Sequence, residues 1–153
     1  MRSIALAVAL LSASVPALAC VCSPPTSEAD KRAIAARIAR ESVAVVDVEQ
    51  VAPLDFDAMR GETYRVATVH IGNAPEKFEL ARAFDRGPDG KVSMGMTSCD
   101  EIPPPGTRTT VVLYATELPG KFRFGGTCDH LFVNTAGSIA LIRSQLPRIV
   151  ERG

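Results

Sequence analysis

The hydrophobic positions of this chain follow four successive patterns. Ile4 to Val15 is almost wholly apolar, broken only by Ser12 and Ser14, and Pro16 ends the run. Between Ser27 and Arg40, Ala29, Ala33, Ile34, Ala36 and Ile38 form an apolar stripe. Ser27 and Asp30 have capping-box spacing, so a helix is predicted there. From Ser42 the period becomes two. Val43, Val45 or Val46, Val48 and Val51 predict a strand ending at Pro53, and Thr63 to Ile71 predicts a second. The last pattern is Ala136 to Val150, where Ile139, Ile142, Leu146 and Ile149 recur at helical spacing. Pro147 should end or kink that helix near Gln145.

Turn residues punctuate the middle. Gly72-Asn73-Ala74-Pro75 precedes a predicted strand from Lys77 to Phe84, and Arg86-Gly87-Pro88-Asp89-Gly90 precedes a short one from Val92 to Met96. Thr109 to Ala115 is the clearest strand. After Gly120, Phe122-Arg123-Phe124 begins a last strand leading into Cys128. The expectation is a mainly β domain with one N-terminal and one C-terminal helix. Five or six short strands at this size suit a Greek-key barrel of the OB-fold kind.

The first pattern is an export signal. Arg2 supplies a minimal positive region, and Ala17-Leu18-Ala19 is a small-residue cleavage site. The apolar run is shorter than the roughly 20 residues a membrane span needs, and no basic stop-transfer cluster follows. Residues 1–19 read as a signal peptide and 20–153 as one domain. Cleavage would leave Cys20 as the first residue, with a free α-amine. Lipoprotein processing, the competing reading, also leaves a cysteine at the new N-terminus. It prefers leucine three residues earlier, where Ala17 stands.

Charge excludes several partners. Lys plus Arg and Asp plus Glu are both 17, with no basic block, so neither nucleic acid nor an anionic membrane surface is implied. Trp is absent, which argues against a stacking platform. A secreted or periplasmic monomer without cofactor is expected, with no transmembrane segment in the mature chain.

The four cysteines, Cys20, Cys22, Cys99 and Cys128, form an even set suited to two disulfides in an oxidising compartment. A Cys20–Cys22 bond would close a strained ring, so the N-terminal pair reaches to Cys99 and Cys128 in one order or the other. Each bond closes a loop of about 80 to 100 residues, worth about 4 kcal/mol in the chain-entropy view. A four-thiolate zinc site would show two Cys-x2-Cys knuckles, which are absent.

Cys20-Val21-Cys22-Ser23-Pro24-Pro25, a helix and the strand pair Val43–Val51 and Thr63–Ile71 are followed by Ser98-Cys99, Thr110–Ala115 and Thr127-Cys128-Asp129. This order resembles the N-terminal domain of the tissue inhibitors of metalloproteinases, within the netrin-like OB-fold family, over most of Cys20 to Asn134. The resemblance implies Cys20–Cys99 and Cys22–Cys128 disulfides. It implies that the Cys20 amine and carbonyl chelate the zinc of a target metalloprotease, and that Val21 enters the adjacent specificity pocket. Cys22, Ser23, Thr97, Ser98 and Cys99 would complete the contact ridge. Three departures stand out: Val21 replaces a typical hydroxyl residue, a third disulfide lacks its cysteines, and a helix replaces the six-cysteine C-terminal domain. A cell-envelope binding or structural module on the same barrel is the alternative function.

Other chemistry is thin. His70 lies in a predicted strand, and a lone strand histidine is ordinarily structural. In Cys128-Asp129-His130, a strand would point neighbours to opposite faces, and a disulfide would remove the thiol. Met94 and Met96 read as packing residues. No Gly-x-Ser-x-Gly, His-Glu-x-x-His or phosphate-cradling loop is present, so no enzyme is expected.

Overall fold

The structure, a computed structural model, describes residues 22–95 and 103–146. The expectations for residues 1–19, Cys20, Val21, Met96, Thr97, Ser98, Cys99 and the Pro147–Val150 end of the last helix lie outside these residues.

Helix α1 spans Glu28–Glu41. Ser27 caps it as the sequence suggested: its hydroxyl accepts from the Asp30 amide, and the Asp30 carboxylate accepts from the Ser27 amide. Seven strands follow: β1 Ala44–Ala52, β2 Thr63–Gly72, β3 Lys77–Leu80, β4 Phe84–Arg86, β5 Val92–Met94, β6 Arg108–Ala115 and β7 Lys121–Phe124. Helices α2, Thr127–Val133, and α3, Ser138–Ser144, complete the described chain.

Five strands close a barrel in the order β1-β2-β3-β7-β6, while β4 and β5 form a separate hairpin. All barrel neighbours are antiparallel except β3 and β7, which run parallel through Glu79 opposite Lys121 and Leu80 opposite Phe122. Closure leaves no barrel strand with an unpaired edge.

Two cores share the β1 strand. Ala44, Val46, Val48, Tyr64, Phe78, Leu80, Val111 and Leu113 fill the barrel interior. Val45, Ile71, Val112 and Tyr114 instead join the helices, meeting Ala35 and Ile38 of α1, Phe132 and Val133 of α2, and Ile142 of α3. At this end both faces of the sheet are covered, so Val45 and Val46 are both fully buried and the period-two pattern gives way to a continuous apolar run. Each buried aliphatic contributes about 1.5–3 kcal/mol. In the barrel, the Tyr64 ring lies edge-on to Phe124 at 4.9 Å and stacks on Phe78 at 5.9 Å.

Several expectations need correction. The predicted Lys77–Phe84 strand is broken between Leu80 and Phe84. There the Ala81 amide turns to the Phe122 carbonyl, and Arg82 folds inward onto Glu62. That pair is bidentate, at 2.9 and 3.0 Å, with both side chains almost wholly buried. The buried stripe of α1 is Ala35 and Ile38 beside Ile34, whereas Ala29 and Ala33 are exposed, because the helix turns its Ile38 face to two other helices and the barrel. The segment leading into Cys128 becomes helical at Thr127, so the described residues hold three helices where two were expected. The last helix starts at Ser138, after Gly137 takes the left-handed conformation with φ +81°, and ends at Ser144 with Gln145 as its cap.

Candidate functional site

Cys22 is disulfide-bonded to Cys128, with the two Cα atoms 5.2 Å apart, joining positions 106 residues apart in sequence. This is one of the two bonds that the resemblance implied. The other, Cys20–Cys99, lies outside the described residues, as do Val21, Thr97 and Ser98 of the expected ridge. Among ridge residues, Cys22 is half-buried and Ser23 exposed, and both border the same cleft.

What holds Cys128 decides how firmly Cys22 is held. Cys128 is the second residue of α2, a seven-residue helix too short to be stable alone. Its next residue, Asp129, is only 5 % exposed and anchors the helix. The Tyr114 hydroxyl of β6 donates to Asp129 Oδ2 at 2.8 Å, and the Arg37 guanidinium of α1 donates through Nη2 to Asp129 Oδ1. Arg37 Nη1 also donates to the Tyr114 oxygen at 3.1 Å, closing a triangle across α1, β6 and α2. Arg123 of β7 lies over the Tyr114 ring at 4.5 Å, a cation–π contact. Burial, with the Asp129 carboxylate alongside, pushes the Tyr114 phenol up to about 12. The Asp129 hydrogen bond raises the Arg37 guanidinium further above its ordinary value.

Gly125 is part of this arrangement. A Cβ there would stand 2.7 Å from Asp129 Cβ and Oδ2, so only glycine lets the carboxylate fold back against the end of β7. At its other end, α2 is tied to β6 where Asn134 Nδ2 donates to the Thr110 carbonyl at 3.0 Å. Pro24-Pro25 and the Ser27 capping box connect the Cys22 end to α1.

Between these elements lies an apolar cleft of about 250 Å³. Its walls include Pro24, Pro25, Ile34, Leu131 and Phe132, with the Cys22–Cys128 disulfide at one side. Leu131 is 51 % exposed, while Phe132 and Val133 of the same helix are buried.

His130 lies in α2, and His70 stands apart from the cleft in β2. His70 Nε2 lies 2.8 Å from Asp47 Oδ1, which also accepts from Thr110 Oγ1 at 2.8 Å, cross-linking β2, β1 and β6. Burial raises the Asp47 carboxyl, but the His70 and Thr110 hydrogen bonds outweigh it and leave Asp47 below its ordinary value. Cys128, Asp129 and His130 sit on a helix, so the expectation of alternating strand faces does not apply. Cys128 is committed to the disulfide and Asp129 to Arg37 and Tyr114. Met94 is half-buried in β5. Among the described residues, no group of three or more His, Cys, Asp and Glu side chains is arranged to hold a metal. No helix among them is long and apolar enough to cross a membrane.

The sequence marks Asp129 only as part of the Cys128-Asp129-His130 run, and it does not single out Arg37 or Tyr114. Arg37 looked like one more solvated charge on α1, and Tyr114 like a core strand residue. The Gly125-Gly126 pair before Thr127 was the available sign of a chain break and a new helix. Comparison of the chain with protein-family models, with curated proteins and with solved structures returns no match.

Proposed function

We propose that residues 20–153 form an exported OB-fold domain of the netrin-like kind that inhibits a zinc metalloprotease through its own N-terminus. The closed five-stranded barrel with one parallel closure, β3 against β7, supports the OB-fold reading. One observation carries the function: Cys22, two residues after Cys20, is covalently fixed to α2, and α2 is locked to α1 and the barrel by Arg37, Asp129 and Tyr114. An amine so close to a fixed point loses little freedom when it binds a metal in another protein.

In this mechanism the Cys20 α-amine, with an ordinary pKa of about 7.7–8.0, gives up its proton and donates its lone pair to the protease zinc. The Cys20 carbonyl supplies the second donor. Val21 enters the pocket beside the metal, contributing apolar burial and no hydrogen bond to a catalytic carboxylate. Cys22, Ser23, Thr97, Ser98 and Cys99 form the ridge alongside, with Cys20–Cys99 as the second clamp. The protein contributes no catalytic residue of its own.

The test begins with mass spectrometry of the mature N-terminal peptide, where an unmodified Cys20 is expected. Inhibition of a panel of zinc metalloproteases is then compared between the mature protein and a form with one extra N-terminal alanine. The extension should abolish inhibition, because it converts the amine into an amide. Equal inhibition by both forms, or an acylated Cys20 in the native protein, would sink the mechanism and favour a cell-envelope binding module instead.

A further inference from the structure

The geometry points to the Cys22–Cys128 disulfide and its apolar cleft as a thiol–disulfide exchange site for a dithiol protein, with exchange loosening the Cys22–Thr26 stretch while the barrel stays folded. Its consequence for inhibition rests on the amine-chelation reading above, whereas the exchange itself does not.

Three observations converge. First, the two cysteines differ in exposure: Cys128 is an exposed residue of α2, and Cys22 is half-buried in the segment before α1. An incoming thiolate meets Cys128 first, and access is one determinant of which sulfur is attacked. Second, the disulfide forms a wall of the cleft that Pro24, Pro25, Ile34, Leu131 and Phe132 complete. A small reductant has no use for such a surface. A protein that carries its dithiol beside an apolar surface can bury Leu131 and the proline pair as it attacks, and the disulfide in the wall is the reason for naming that occupant. Third, α2 does not depend on the disulfide alone. Arg37 and Tyr114 hold Asp129, Asn134 holds the Thr110 carbonyl, and Phe132 and Val133 are buried in the helical core. The Cys22–Thr26 side has no regular structure before the Ser27 cap. Opening the bond therefore loosens the Cys22–Thr26 stretch, which the proposed Cys20–Cys99 bond would still tether, and leaves α2 in place.

The step balances as an exchange. The thiolate of the partner forms a bond to Cys128 Sγ as the Cys22–Cys128 bond breaks, and the electron pair leaves on Cys22 sulfur, which takes up a proton. The partner's second thiol, as its thiolate, then displaces Cys128. The dithiol ends as a disulfide, and Cys22 and Cys128 end as thiols.

The exported protein, without denaturant, is incubated with dithiothreitol and separately with thioredoxin whose second active-site cysteine is replaced by serine. Samples are quenched with iodoacetamide and mapped by peptide mass, with circular dichroism followed in parallel. Cys22 and Cys128 should become alkylated about tenfold or more faster than the tyrosine near-ultraviolet signal is lost. The thioredoxin variant should be trapped on Cys128. Leu131→Lys should slow that trapping about tenfold while leaving the dithiothreitol rate within about twofold. Alkylation that only tracks unfolding, trapping on Cys22, or a thioredoxin rate indifferent to Leu131→Lys would each overturn the inference. None of these readouts uses a protease, so failure here is separate from failure of the N-terminal alanine test.

Discussion

Replacing Asp129 with alanine removes the shared acceptor of the triangle that locks α2. Three parts of the cost can be worked from the structure. The Tyr114 hydroxyl, buried and donating at 2.8 Å, loses its acceptor, which costs about 1–2 kcal/mol. The Arg37 contact is charge-assisted, but that side chain is 39 % exposed and can rehydrate, so its share falls to about 0.5–1 kcal/mol. The space left against Gly125 adds a smaller packing loss, about 0.5 kcal/mol. The total is about 3 kcal/mol, or a fall in Tm of about 10 °C for a domain of this size. Urea unfolding followed by circular dichroism at neutral pH measures it, with Arg37→Ala and the double variant completing a cycle. Arg37→Ala alone should cost about 1 kcal/mol, and the pair should show a coupling of at least about 0.5 kcal/mol. Hydrogen exchange of the α2 amides should quicken in Asp129→Ala before that of β1 or β6. A loss below about 1 kcal/mol, or additive single variants, would refute the claim that this triangle fixes α2 and with it the Cys22 end.

Both tyrosines of the chain are shifted upwards by burial, so ultraviolet titration of the phenols should show no ionisation near pH 10 in the folded protein. Tyr114 has a folded pKa of about 12 against about 10 unfolded, so its stabilising share is intact below pH 10 and is lost as pH rises towards 12. A phenol titrating at pH 10 with circular dichroism unchanged would contradict the buried placement. Asp47 shifts the other way: its folded pKa is lowered, so its share is present above about pH 4 and is lost as pH falls through the folded value. Asp47→Asn should therefore flatten the acid limb of a urea-midpoint profile below about pH 4, and an unchanged limb would count against the His70–Asp47–Thr110 cross-link.

Much of the fold was legible in the residues because its signals are local. The Ser27–Asp30 box names the start of α1, and the β-branched run Thr109 to Val112 with Tyr114 marks β6, since a helix cap and a strand's side-chain preferences are each specified within a few residues. The misreadings share one cause. Lys77–Phe84 looks continuous by propensity, yet the strand stops at Leu80, where Arg82 finds Glu62, a partner 20 positions earlier in the chain. Ala33 and Ala35 are equivalent by composition, and only the placement of α3 and the barrel selects Ala35 for burial.

By itself the sequence determined the order of most elements, the turns between them and an even set of cysteines beginning at Cys20 and Cys22. These follow from periodicity, backbone restriction and composition, which act over a few residues at a time. It left open which distant cysteine meets Cys22, and it gave no sign that Arg37, Tyr114 and Asp129 would share one site. Barrel closure decided both. Pairing β6 with β1 and packing α2 across them bring residue 128 beside residue 22, and residue 129 beside residue 37, from more than 90 positions away. Contacts of that reach depend on how the whole sheet curls and which face each helix covers, and no window of neighbouring residues contains that information.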